Sequence, residues 1–182
     1  MTNWLETPVI DQRDRRWAFK MLGNSDSTIG DYGCLVSSFA MLAGMLPPEV
    51  NSRMIAAGAF GTRDCPACAN TFDIQKFIPS APPIHDTTLR YPFAPFPAAA
   101  CSRVVSRLKG GNPVILEVDM RPNLAGHQMH FVLGVSAFGS GESANIVIHD
   151  PWFADETTLC PRYGVNLARA IVRAVYYGEA TQ

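Results

Sequence analysis

The hydrophobic pattern changes period part-way along the chain. "CLVSSFAMLAGML" carries apolar residues on nearly every face and follows a stretch dense in Gly, Asn, Asp and Ser, Leu22 to Gly33, which reads as a loop. This predicts a buried central helix from Cys34 to Leu46, halted by Pro47 and Pro48. A second helix is expected from Pro48 to Ala57, ending near Gly58. Phe60 to Asn70 reads as loop, and "TFDIQKFI" as a short helix with Thr71 as its N-cap. Pro79 to Pro97, with its Tyr91-Pro92 and Phe96-Pro97 steps, reads as an extended crossing with one short strand near Thr87 to Arg90. "AAACSRVVSRLKGG" is a helix closed by Gly110 and Gly111.

Beyond it the strand period takes over. "PVILEVDM" (Pro113 to Met120) reads as a buried strand, and "AIVRAVYYG" as another near the C-terminus. "HFVLGVSAF", "GSGES" and "NIVIHD" together read as a hairpin with a Gly-Ser turn. Helices first and an antiparallel sheet after them make an α+β layout, with one domain over 1–182 and no internal repeat.

Composition narrows the function. The 182 residues are 47% hydrophobic and 17% charged with a formal net charge of -1, an ordinary globular balance with no global electrostatic case for nucleic acid or an anionic membrane. No segment approaches the roughly 18 consecutive apolar residues of a membrane span. The N-terminus, Met-Thr-Asn-Trp-Leu-Glu, has neither the basic start nor the apolar run of a signal peptide. Synthesis in a cytoplasm is therefore expected, with any action outside following release or carriage in a particle. Five scattered cysteines make a poor disulfide framework and leave at least one thiol free.

Cys34 has the most informative surroundings. A thiol becomes a useful nucleophile as the thiolate, which a helix N-terminus and a nearby imidazolium both favour. Cys34 stands where the Gly-rich loop becomes the apolar helix, and Gly33 before it has no side chain to hinder a substrate approaching the backbone. The hairpin offers the imidazole. A turn centred near residue 140 would set His130 directly opposite Asp150 on one face, with His149 pointing to the other. A carboxylate beside the imidazole fixes its tautomer and stabilises its charged form. The backbone N–H of Cys34 and the side-chain amide of Gln12 are candidates to hold a developing oxyanion.

These residues resemble a family. "DQRDRRW", "LGNS", "TIGDYGCLVSSFAMLAG", "GNPVILEVD", "HFVLGV" and "IHDPW" occur in the order found in peptidase C-thirty-nine-like proteins, relatives of bacteriocin double-glycine-leader peptidases in the papain-like clan. The resemblance runs from Val9 to Trp152. It implies a papain-like fold, a central helix led by the nucleophile and packed on a twisted antiparallel sheet. It also implies Cys34 as nucleophile, His130 as base, Asp150 as orienting acid and Gln12 as oxyanion-hole amide. Two departures stand out. Gln12 lies 22 positions before the cysteine rather than a few, and Leu35 follows the cysteine where the leader peptidases carry glycine, so their Gly-Gly specificity does not carry over.

Other residues have plainer readings. His127 lies in the loop "NLAGHQ", whereas His130 opens the apolar strand. Trp152 is either a lid over the His–Asp pair or a core tryptophan, and Trp17 is packing. Cys65 and Cys68 lack the second close pair of a zinc site, so a local disulfide or two inert thiols is expected, and no metal or cofactor is implied. The charges from Asp11 to Arg16 read as a solvated turn with local ion pairs. The expectation is hydrolysis of a peptide or isopeptide bond, in a protein linker or a bacterial cell-wall stem peptide. The alternatives are an acyltransferase with the same triad, or an inactive papain-like binding module. The partner is a peptide or protein substrate, with no nucleic acid and no membrane.

Overall fold

The structure is a computed structural model that describes residues 7–62, 65–90, 94–122 and 126–178. The start of the opening segment, the Tyr91-Pro92 step and part of the loop before His127 lie outside them. The loop before Cys34 contains a helical turn, α1 (Ile29–Tyr32), whose N-cap Thr28 accepts from the Asp31 N–H through Oγ1 and donates to its carboxylate at 2.7 Å. The central helix α2 (Cys34–Ala43) stops before the prolines. Gly44, at φ +65°, takes the left-handed position that ends the helix, and Met45 N–H returns to Ala40 O at 2.9 Å. Pro47 and Pro48 instead open α3 (Pro47–Ala56), where a missing N–H is harmless.

The expected loop Phe60 to Asn70 is a small antiparallel hairpin of β1 (Phe60–Thr62) and β2 (Cys65–Ala69), with Cys65 and Cys68 joined as a disulfide. Hydrophobic period misses strands this short. In the next segment Thr71 Oγ1 accepts from Asp73 N–H ahead of a single 3-10 turn, Ile74–Lys76, rather than capping a helix.

The remaining strands form one six-stranded, wholly antiparallel sheet. They are β3 (Ile84–Leu89), β4 (Val114–Asp119), β5 (Met129–Phe138), β6 (Asn145–Asp150), β7 (Asp155–Thr158) and β8 (Ile171–Tyr177), in the spatial order β3-β8-β4-β5-β6-β7. Alternation divides the side chains between two cores. Ile115, Phe131, Leu133 and Val175 pack with α2 and α3 on one face. Val114, Val132, Ile148 and Ala174 pack on the other face with α4 (Ala98–Lys109), α5 (Leu159–Arg162) and α6 (Leu167–Ala170). Burial on both faces explains why β4 and β8 read as continuous apolar runs. Among the described residues no helix is long and apolar enough to cross a membrane.

The hairpin that carries His130 and Asp150 has a different register from the expected one. It closes with Phe138 opposite Asn145, so its loop runs from Gly139 to Ala144 and is longer and later than a turn centred on 140. A bulge at Val135 then shifts the pairing, so that Gly134 lies opposite Ile148 and Leu133 opposite His149. One step further, Asp150 is level with Val132, two residues from His130 rather than directly across from it. An offset of two keeps both side chains on one face. Without the bulge Asp150 would be level with Leu133, whose side chain enters the other core.

Candidate active site

Asp150 ends β6 with 0% exposure, and His130 stands second in β5 with 2% exposure. His130 Nε2 and Asp150 Oδ1 are 2.9 Å apart. The imidazole is under two opposed influences. Burial disfavours its charged form, but the hydrogen bond it donates to Asp150, then the influence of Cys34, outweigh it and raise the pKa to about 9. Burial likewise pushes the Asp150 carboxyl up. The His130 contact, the Tyr163 hydroxyl and the Trp152 N–H more than reverse this and hold it below the ordinary carboxylate value. Half-buried Cys34 therefore acts on the same ring as Asp150, and with Nε2 committed to the carboxylate, Nδ1 is the nitrogen left for the thiol.

Sequence reasoning missed the rest of the carboxylate's shell. Asp150 Oδ1 also accepts from Trp152 N–H at 3.1 Å, while Oδ2 accepts from the Tyr163 hydroxyl and from Arg162 at 3.2 Å. Arg162 simultaneously grips Asp155 through two 2.7 Å bonds. Asp150 and Asp155 are directly paired across β6 and β7, a like-charge juxtaposition that Arg162 neutralises. Asn166, further along, is a conventional helix cap, but nothing local in "LCPRYG" marks Arg162 and Tyr163 as partners of Asp150.

Gln12 reaches the cysteine loop from 22 positions upstream because the intervening chain folds back on itself. Gly30 N–H donates to Ala18 O, Ile29 N–H to Lys20 O and Leu22 N–H to Ser27 O, at 2.8–2.9 Å. A Cβ on Gly30 would lie 2.9 Å from Ala18 O, so this approach needs glycine. The Gln12 side chain is 1% exposed and donates through Nε2 to Gly30 O at 3.0 Å, while its own N–H bonds Pro151 O at 2.9 Å. Gln12 thus joins the cysteine loop to the turn that follows Asp150.

This arrangement bears on the Cys34 N–H. A helix continuing through Gly33 would give that N–H to Gly30 O, but Gly30 O is taken by Gln12. Gly33 N–H bonds Ile29 O, and the next bond of α2 runs from Ser37 to Gly33 O. The Cys34 N–H opens α2, in the first turn, where N–H groups lack acceptors within the helix. That N–H and Gln12 Nε2, which bonds Gly30 O in the turn leading to Cys34, are the two candidate donors for a developing oxyanion.

Gly33 is buried, and a Cβ there would lie 2.4 Å from Ile29 O, so local packing already demands glycine. Trp152 is half-buried, stacked by Arg13 at 4.7 Å, and holds Asp150 through its backbone. His127 contacts Glu117 at 3.4 Å, not Asp150, and His149 is level with Leu133 on the α2 face, bonded to Glu156 at 2.9 Å. Trp17 is core, and Asp14 and Arg16 form the expected exposed ion pair. Among the described residues no group of three or more His, Cys, Asp or Glu side chains is placed to hold a metal ion. Comparison with protein-family models gives no match, and comparison with curated proteins gives none either.

Proposed function

We propose that this chain is a papain-like cysteine hydrolase, of the peptidase C-thirty-nine-like kind, that cleaves peptide or isopeptide bonds through a thioester. The observation carrying the reading is the buried 2.9 Å contact between His130 Nε2 and Asp150 on an imidazole that Cys34 also engages. An imidazole that holds its proton to about pH 9 has one to give to a leaving group.

The Cys34 thiolate attacks the carbonyl carbon, and the oxyanion is received by the Cys34 N–H and the Gln12 amide. As the tetrahedral adduct collapses, His130 protonates the departing amine and the acyl group remains on Cys34 as a thioester. His130, now neutral, takes a proton from water, whose oxygen attacks the thioester. The second collapse releases the acid and restores the thiolate and the imidazolium. A protein linker or a cell-wall stem peptide has the required bond.

The test is the rate of Cys34 alkylation by iodoacetamide against pH, read by peptide mass spectrometry, in wild type and His130→Ala. Rapid labelling well below the ~8.5 of a free thiol, slowed at least about tenfold without His130, is the expected result. Slow labelling indifferent to His130 would put a binding module in place of the enzyme.

A further inference from the structure

Next to His130, on the α2 face of the sheet, lies a charge cluster that the proposed chemistry does not use. Phe131, Glu117 and Arg173 occupy one row across β5, β4 and β8. Glu117 is 5% exposed and its Oε2 accepts no hydrogen bond, although Arg173 Nε is 3.1 Å away. The Arg173 guanidinium lies over the Phe72 ring at 5.0 Å, and Phe72 packs on Phe131 at 5.8 Å. Arg173 is thus fixed by a buried carboxylate on one side and an aromatic face beneath. Its side chain is still 28% exposed, and its two terminal nitrogens have no hydrogen-bond partner among the described residues.

The local charges decide what this position takes. Glu117 is offset by Arg173 at 3.1 Å and by Arg90, while Asp119, two places on along β4, is occupied by the Arg121 and Gln128 N–H groups. A substrate cation would meet the Arg173 guanidinium, whereas a carboxylate would meet a planar fork already oriented for it. Two inter-strand steps put the Arg173 backbone roughly 10 Å from that of Phe131, about three residues of extended chain at ~3.3 Å each. We propose that Arg173, positioned by Glu117 and Phe72, binds a carboxylate two to three residues from the scissile bond on the acyl side of an acidic peptide. The acyl part stays on the enzyme through both half-reactions, so a contact there serves both. This specificity rests on the hydrolase reading.

The experiment compares labelling rates of Cys34 by peptidyl chloromethyl ketones, each normalised to iodoacetamide on the same protein. The probes are acetyl-Ala-Xaa-Gly-chloromethyl ketones with Xaa as Glu, Gln or Lys, and a further probe in which the glutamate is joined through its γ-carboxyl. The expected result is a preference of about tenfold or more for a carboxylate probe over Gln, which a fork-to-carboxylate contact supports. That preference should vanish in Arg173→Gln and shrink in Arg173→Lys. Preference for the ordinary Glu probe points to protein acidic residues, and for the γ-linked probe to a main-chain carboxylate. Equal rates for the carboxylate and Gln probes, or faster Lys, overturn the proposal from wild type alone, whatever the variants do to folding. Loss of iodoacetamide reactivity at Cys34 in wild type would instead overturn the hydrolase reading, and this inference with it.

Discussion

The Tyr163 hydroxyl donates to Asp150 Oδ2, the oxygen that His130 does not use. Two hydrogen-bonded shells thus meet at one buried carboxylate, the imidazole on Oδ1 and the Tyr163–Arg162 pair on Oδ2. Tyr163→Phe keeps the ring in its core position and removes one bond to a charged acceptor, worth about 1.5–3 kcal/mol. The expected outcome is a folded protein in which the Asp150 pKa rises and turnover falls several-fold or more. NMR titration of the carboxyl beside steady-state rates checks it.

The His130 pKa sets an alkaline limit. Its folded value of about 9 lies above its ordinary 6.5, so the stability it contributes is complete below 6.5 and is lost as pH rises through about 9. Asp150, depressed in the folded state, contributes stability above ~3.9 that is lost as pH falls through its lowered value. Urea midpoints measured across pH should therefore fall on both flanks. In Asp150→Asn the imidazole loses its strongest support, and the alkaline flank should move toward neutrality.

Gln12→Ala separates oxyanion binding from nucleophile activation. Iodoacetamide alkylation forms no oxyanion, so its rate at Cys34 should change little. Turnover of a peptide or thioester substrate should fall on the order of 100- to 1000-fold. Equal losses in both assays would mean that Gln12 acts through the placement of the Cys34 loop.

Arg162→Ala leaves Asp150 and Asp155 facing each other across β6 and β7 without a cation between them. A destabilisation of roughly 1–3 kcal/mol is expected, with the Asp150 pKa displaced upward. Asp155→Asn in the same background removes the repulsion and should restore much of the stability, which a double-mutant cycle in urea would measure.

Local chemistry made much of the molecule legible in the sequence. The apolar run led by Cys34 becomes a buried helix, "PVILEVDM" a strand buried on both faces, and "AAACSRVVSRLKGG" a helix stopped at its glycines, because period and caps act over a few residues. The end of the central helix moved because two local signals compete there. Gly44 ends α2 ahead of the prolines, since a left-handed residue satisfies the last carbonyls at once, whereas Pro47 merely suits a helix start.

The sequence by itself therefore determined the types of the longer elements and singled out Cys34, His130, Asp150 and Gln12 as candidates. Only the tertiary structure decided how they meet. The bulge at Val135 selects the face on which Asp150 joins His130, and β8 enters the sheet between β3 and β4, bringing Arg173 beside Glu117. The fold-back of residues 17–30 delivers Gln12 to Gly30. The final turn of α5 and the residue after it deliver Arg162 and Tyr163 to Asp150. These contacts join residues far apart in the chain, and their positions depend on how two cores close on one sheet, which no local propensity encodes.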